Sequence, residues 1–310
     1  LKITILDART LGSDVNLSVF RKFGELRIFE TTNPNETIKN IADSDIIITN
    51  KVVIDKAVMD SAKNLKLICI SATGMNNVDL EYAKEKNITV KNVAGYSTKS
   101  VTQHTFAMLF YMIEHLNYYD EYVKSGGWQE SSIFTNLDRA FFEISGKKWG
   151  IIGLGNIGRE VAKIATSFGA DVSYFSTSGK NSNSEYSRIE LKTLLSESDI
   201  ISIHAPLNEN TKNLINYSNM NLLKDRAVLI NVGRGGIISE TDLSKFIDER
   251  EIFVGLDVLE IEPIRSYNPL NMIKHKERLF ITPHIAWSSF EAREKLIELI
   301  VKNIENFLGE

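Results

Sequence analysis

WGIIGLGNIGREVAKIATSFGADVSYF, residues 149–175, reads as a strand, a glycine turn, a helix and a second strand. Gly153, Gly155 and Gly158 follow the apolar run WGII and open a segment in which Ile157, Val161, Ala165 and Phe168 fall on one helical face, closing at Gly169. The first glycine makes a tight turn. The second lets backbone approach a pyrophosphate, and the third lets the helix pack on the strand. Free N–H groups and the helix dipole then favour an anion at the turn. The stretch Gly153, Leu154, Gly155, Asn156, Ile157, Gly158 is therefore expected to cradle a dinucleotide, because it stands between two strands and starts a helix.

Working outward, short runs rich in β-formers alternate with helical patterns: KITIL, LRIF, DIIIT, LKLICIS and ITVKNV precede the fingerprint, and DIISIH, AVLINV, IFVGLDV and LFITP follow it. Their apolarity is continuous, which suits strands covered on both faces. The chain reads as α/β throughout, with two parallel sheets. The apolar segment from Ser100 to Tyr122 predicts one long helix between them, with more than one apolar face and so a candidate for burial against a second subunit. A final amphipathic helix is expected after SSFE at 288–291, carrying Leu296, Ile300, Ile304 and Phe307.

With 310 residues, 43% apolar, the chain can bury a full core. A formal net charge of −4 provides no basic excess, so nucleic acid and anionic membrane are poor partners on bulk charge. Cys69, the single cysteine, lies in an apolar run and has no internal disulfide partner. The start LKITILD reads as a first strand and not as a signal peptide, no apolar run has membrane-spanning length, and a cytoplasmic location is expected. HExxH, Cys/His clusters and GxSxG are absent, so neither a metal centre nor a hydrolase elbow is expected.

Three later stretches carry the chemistry. NVGRG at 231–235 sets Arg234 between glycines at the end of an apolar strand, where a planar guanidinium can grip a carboxylate and polarise the adjacent carbonyl. DVLEIEP at 257–263 supplies Glu262, and TPHIA at 282–286 supplies His284. A carboxylate beside an imidazole stabilises the imidazolium, so the pair suits proton transfer to a forming alkoxide. His104, His115 and His275 read as structural. At the end of DVSYF, where an acid would accept hydrogen bonds from ribose hydroxyls, the chain has Ser176, Thr177, Ser178 and Lys180, and Asp171 sits too early. That loop can receive a phosphate, which favours NADP while leaving NAD open.

Together, NKVVID at 50, SATGMNNVD at 71, NVAGYSTKSVTQHTFA at 92, GIIGLGNIGREVA at 150, DIISIHAPL at 199, NVGRGG at 231, LDVLEIEP at 256 and TPHIAW at 282 resemble the D-isomer-specific 2-hydroxyacid dehydrogenases over nearly the whole chain. The NKV, SVTQHTFA, GGW and HIAW details are most similar to the glycerate dehydrogenase (hydroxypyruvate reductase) subgroup. The resemblance implies a Rossmann-type doubly wound cofactor domain, residues 99–281, inserted into a smaller flavodoxin-like substrate domain, residues 1–98 and 282–310, with the active site in the cleft. It implies that Arg234 binds the substrate, that Glu262 tunes His284, and that His284 donates the proton in reduction. Amides around Thr73 and Gly74 would hold the carboxylate of a small 2-oxo or 2-hydroxy acid, with Lys51 at its other end. Asn156, Ile157, His204, Ala205, Pro206, Thr211, Val232 and Asp257 would line the cofactor, and the helix near 100–125 would form a homodimer. Ser176 departs from the family in replacing the usual acid. Trp287 stands where many members have glycine, which narrows the pocket.

Two other readings share these motifs: a formate- or phosphite-type dehydrogenase, and a dinucleotide-sensing, co-repressor-like binding protein. The SATG loop and Lys51 favour a larger acid over formate. Co-repressor relatives would be expected to carry additional partner-binding tails.

Overall fold

The computed structural model describes residues 1–180 and 183–309; positions 181 and 182, within the polar stretch SGKNSNS at 178–184, lie outside the described residues. The chain divides into two compact units. One comprises Leu1–Ser97 and the chain from Ser288 onward, and the other is Thr98–Trp287, so the second interrupts the first in sequence.

The first unit is built on a five-stranded parallel sheet of β1 (Lys2–Ile5), β2 (Glu25–Ile28), β3 (Ile46–Thr49), β4 (Leu67–Ile70) and β5 (Thr89–Lys91), in the order β2-β1-β3-β4-β5. That is the flavodoxin-like order. Every residue of β3 and β4 is buried, as their unbroken aliphatic runs require of central strands. Asp55 and Asp79 cap the short helices Lys56–Ser61 and Leu80–Glu85 by accepting the N–H of Val58 and Tyr82. The last helix, Phe290–Gly309, packs against β4 and buries Leu296, Ile300 and Ile304 completely. Full burial of three such aliphatic side chains contributes about 1.5–3 kcal/mol each. Its cap lies one residue beyond Ser288, with Ser289 Oγ accepting from Ala292 N at 3.2 Å.

The second unit holds a seven-stranded parallel sheet: β6 (Lys148–Ile152), β7 (Asp171–Phe175), β8 (Ser187–Arg188), β9 (Ile200–Ile203), β10 (Val228–Asn231), β11 (Phe253–Leu256) and β12 (Leu279–Ile281), in the order β12-β11-β10-β9-β6-β7-β8. The chain runs outward from β6 in one direction and from β9 in the other, so the topological switch point falls between them, as in a doubly wound Rossmann-type sheet. Helices Thr98–Ile113 and Asn156–Ser167 cover one face, where Phe106, Trp149, Val161 and Tyr174 share an apolar cluster. Leu194, Met220, Leu243 and Phe246 belong to the cluster on the other face.

Three expectations change. The segment 100–122 is two helices, Thr98–Ile113 and Leu116–Lys124, because His115 takes a left-handed φ of 52°. Met108 and Met112 of the first press on Gly255 of β11, whereas the second buries no residue. Residues 282–287, expected with the first unit, fall in the second. The reason is pairing: β12 lies in register on β11, and the chain just beyond it is hydrogen-bonded to Asp257. The strand β8 has no counterpart in the sequence reading.

The glycine turn separates fold from function at single positions. A Cβ on Gly158 would lie 2.3 Å from the carbonyl oxygen of Gly153, whereas one on Gly155 would meet nothing within 4 Å. Gly158→Ala is expected to cost about 1–3 kcal/mol, while Gly155→Ala leaves the urea midpoint of the apoprotein near wild type and weakens only dinucleotide binding. Urea titrations of both variants, paired with fluorescence titration of NADH, check this.

Candidate active site

Five neighbouring strands of the second sheet deliver their carboxyl ends to one edge, and the loops leaving them touch. After β6, Gly153 turns at φ 94°, and a Cβ there would meet Ala205 N and His204 O at 3.0 Å. After β10, a Cβ on Gly233 would lie 2.9 Å from Ala205 O, and one on Gly235 would lie 1.9 Å from Leu259 O. Bare backbone at these positions lets the glycine turn, the HAP segment, the Arg234 loop and the loop after β11 pack as one layer.

Arg234, Glu262 and His284 leave the ends of β10, β11 and β12, which are adjacent in the sheet. At about 4.8 Å between strands, their points of departure span roughly 10 Å. His284 Nδ1 lies 2.7 Å from Glu262 Oε2, with the imidazole 28% and the carboxylate 33% exposed. The other carboxylate oxygen, Oε1, accepts the N–H of Leu259 at 3.0 Å. The Arg234 guanidinium is exposed, with Nη1 donating to the carbonyl of Gly233 at 2.8 Å.

Each of the three loops is fastened by a buried polar side chain. Asn231 accepts from Gly233 N at 3.0 Å and donates to Arg234 O at 2.8 Å, closing the turn that presents Arg234. Glu240, buried at the start of helix Glu240–Glu249, accepts from Glu260 N and from Asn268 Nδ2, while its own N–H donates to Glu260 Oε1. Burial raises the Glu240 carboxyl above its ordinary value, opposed by those two donors. Asp257, 2% exposed, accepts the Thr282 hydroxyl at 2.7 Å and Ile285 N at 2.8 Å on Oδ1, and Ala286 N at 2.9 Å on Oδ2. Between these anchors His284 is held at φ 55°, a conformation that non-glycine residues enter at a cost. Because the single proton of Thr282 goes to Asp257, its oxygen can only accept from His104 Nε2, 3.0 Å away. Burial lowers the His104 pKa, and Asp257 opposes the shift.

The other anticipated residues divide by what they touch. Leu154, Ala205 and Val232 are buried beneath the edge, whereas Asn156 and Pro206 are exposed and Ile157 half-buried. Thr211 is fully buried, and its hydroxyl donates to Pro206 O and accepts from Asn208 N, so it shapes its own loop. The oxygens of Asp257 are likewise committed to the His284 loop. His204 Nε2 contacts Ser202 Oγ at 3.0 Å, which also accepts from Trp149 Nε1, while its enclosed Nδ1 has no partner among the described residues. Burial pushes its pKa down to about 3, so the ring is neutral near pH 7. Ser176 Oγ, at the end of β7, is also buried without a partner among the described residues. Trp287 packs against the apolar cluster of the Thr98–Ile113 face.

In the first unit, Lys51 follows β3 and Thr73 and Gly74 follow β4, at the carboxyl ends of adjacent strands. Lys51 and Thr73 are exposed and Gly74 is half-buried. The backbone N–H of Lys51 is held by Asp7 Oδ2 at 2.7 Å, Thr73 Oγ1 donates to Val93 O, and Asn92 Nδ2 donates to Thr73 O. Among the described residues there is no cluster of metal-ligating side chains, and no helix is long and apolar enough to cross a membrane.

The second unit fits a nicotinamide dinucleotide on structural grounds. A glycine with open space at the turn, an unpartnered hydroxyl at the end of β7 and an unpartnered imidazole nitrogen at the switch point lie where such sheets place the pyrophosphate, the ribose and the nicotinamide half. Asp257 is the buried group on which the His284 loop most depends. Asp257→Asn removes one of its acceptors and is expected to cost about 1–3 kcal/mol, with turnover falling while the Kd for NADH changes little. Urea unfolding and steady-state kinetics of the variant test both parts.

Comparisons with known proteins place the chain in a family. Residues 106–286 match the family model described as D-isomer specific 2-hydroxyacid dehydrogenase, NAD binding domain. A hydroxypyruvate reductase of Blautia hydrogenotrophica is 35% identical, covering 99% of this chain and 97% of the relative. A glycerate dehydrogenase of Methylorubrum extorquens is 32% identical over 99% of this chain and 96% of its own length. Among solved structures, an acyclic imino acid reductase in complex with NADPH and D-Arg superposes with a TM-score of 0.87 at 30% identity, covering 100% of this chain and 97% of that one. The chain belongs to the D-isomer-specific 2-hydroxyacid dehydrogenases, oxidoreductases that act on a CH–OH group with a nicotinamide dinucleotide.

Proposed function

We propose that the protein reduces a small 2-oxo acid, hydroxypyruvate or glyoxylate, to the corresponding 2-hydroxy acid, D-glycerate or glycolate. The observation that carries this reading is the 2.7 Å contact between His284 Nδ1 and Glu262 Oε2 at the same strand edge as Arg234. A bound reduced nicotinamide supplies the hydride to the carbonyl carbon. With Nδ1 engaged by the carboxylate, Nε2 of His284 is the nitrogen that gives a proton to the carbonyl oxygen as negative charge develops there. Arg234 neutralises the substrate carboxylate and polarises the carbonyl. The reaction balances as oxo acid, NAD(P)H and one proton giving hydroxy acid and NAD(P)+.

The roles of Lys51, Thr73 and Gly74 toward the substrate rest on their place at the carboxyl edge of the first sheet. Relatives named hydroxypyruvate reductase and glycerate dehydrogenase support the choice of acid. The Ser176–Lys180 loop, which has no carboxylate, supports NADP over NAD; solved structural neighbours include both NADPH-bound and NAD-bound proteins. The buried free thiol of Cys69 suits a reducing cytoplasm. The segment after the Thr98–Ile113 helix exposes Trp128, Ile133, Phe134, Leu137 and Phe141, with Phe134 at 88%, which supports a homodimer through this surface.

His284→Gln is expected to lower kcat by about 10²–10⁴-fold while the Kd for the reduced cofactor stays within about threefold. Turnover of hydroxypyruvate, glyoxylate, pyruvate and formate with NADH and NADPH tests the substrate class, and formate as the sole substrate would refute it. Retained wild-type turnover in the variant would remove His284 from the mechanism. Sedimentation equilibrium should give the mass of two chains, falling to one when Phe134 and Leu137 are both replaced by aspartate.

A further inference from the structure

The loop that follows β7 has a second wall, the edge strand β8. β8, only Ser187–Arg188, lies parallel to β7 in the register Ser173↔Ser187 and Tyr174↔Arg188. The pairing is continued by Ile189 N donating to Tyr174 O at 2.9 Å. Arg188 is thereby set beside the last turn of β7, and its Nη1 donates to the carbonyl of Gly179 at 3.0 Å. Gly179 takes φ 70°, and a Cβ built there would stand 3.9 Å from Arg188 Nη2. The guanidinium thus lies along the Ser176–Lys180 loop. One of its five donors holds the loop backbone, and no described carboxylate pairs with it.

Ser176, 4% exposed, has a hydroxyl enclosed at the same strand end with no hydrogen-bond partner among the described residues. A buried hydroxyl left unmade costs about 1–3 kcal/mol, so an orphan of this kind points to a group that completes it. Phe175 O accepts from Gly153 N at 3.0 Å, which joins this strand end to the glycine turn. In a doubly wound sheet that is the place of the adenosine ribose, and a cation there receives a 2′-phosphate. We propose that Arg188, reaching across from the edge strand, is the residue that selects NADP(H) over NAD(H), gripping the 2′-phosphate with its free guanidinium donors above the Ser176–Lys180 loop.

This inference rests on the dinucleotide reading of the site. An arginine that only staples the loop through Gly179 would affect both cofactors alike. A phosphate clamp affects one, and the planar fork makes lysine an incomplete substitute.

The test is isothermal titration of the folded full-length protein with adenosine 2′,5′-bisphosphate and with 5′-ADP, ligands that separate binding from redox activity. Wild type is expected to bind the 2′,5′-bisphosphate at least tenfold more tightly than 5′-ADP. Arg188→Ala should lose at least tenfold in affinity for the bisphosphate while 5′-ADP stays within threefold, with Arg188→Lys in between. Equal losses for both ligands would make Arg188 a loop staple and overturn the proposal. Tight bisphosphate binding that survives Arg188→Ala but not Lys180→Ala would assign the phosphate to Lys180, leaving the NADP preference standing without Arg188. A wild type preferring 5′-ADP would overturn the NADP preference and the clamp together, and binding of neither ligand would reach back to the dinucleotide site itself.

Discussion

A single buried carboxylate governs the reactive edge of this protein. Asp257 ends β11 and takes three donors from the chain beyond β12, so two strand ends are tied by charge-assisted bonds in a place closed to water. Desolvating that charge is costly, and only the full set of donors offsets it. Because each anchor lies within two residues of His284, the imidazole has little freedom, and its left-handed backbone is a consequence of the fastening around it. Asn231 and Glu240 do the same for the loops of Arg234 and Glu262 with fewer bonds. Side chains drawn from three separate loops are thereby held by groups other than themselves, which is what positioning to a fraction of an ångström requires.

The other half of the design is the absence of side chains. Gly153, Gly233 and Gly235 each leave space that neighbouring backbone fills, and together they compress the loops of β6, β9, β10 and β11 into contact. Gly155 differs, since the space beside it is open. Within one short motif, then, some glycines serve packing and another borders open space, and the two are distinguished by what a methyl group would meet.

Much of this was legible in the chain because the signals are local. Unbroken runs such as DIIIT and AVLINV identify central parallel strands, the glycine fingerprint sits between two of them, and Arg234 and His284 are each marked by a flanking glycine or proline at a strand end. What stayed hidden depends on partners distant in sequence. Asp257 was expected to face a cofactor, and nothing near it reveals that its oxygens bind residues 282–286. Glu240, Asn231 and Asp7 look like ordinary polar residues until their hydrogen-bond partners are in place, and His104 reads as structural although it stands behind Thr282. The helix break at His115 is masked by apolarity continuing across it. The division after Trp287 follows from the pairing of β12 with β11, which hydropathy does not encode.

β8 escaped notice for a physical reason as well: both of its residues are exposed, so it carries no apolar signature. A margin so brief and cationic offers an approaching chain few unpaired amide and carbonyl groups to extend. The seven-stranded array therefore terminates at Arg188 in a form that resists polymerisation through strand addition, a safeguard against aggregation at the flank of the molecule where a ribbon of bare backbone would otherwise invite a neighbour.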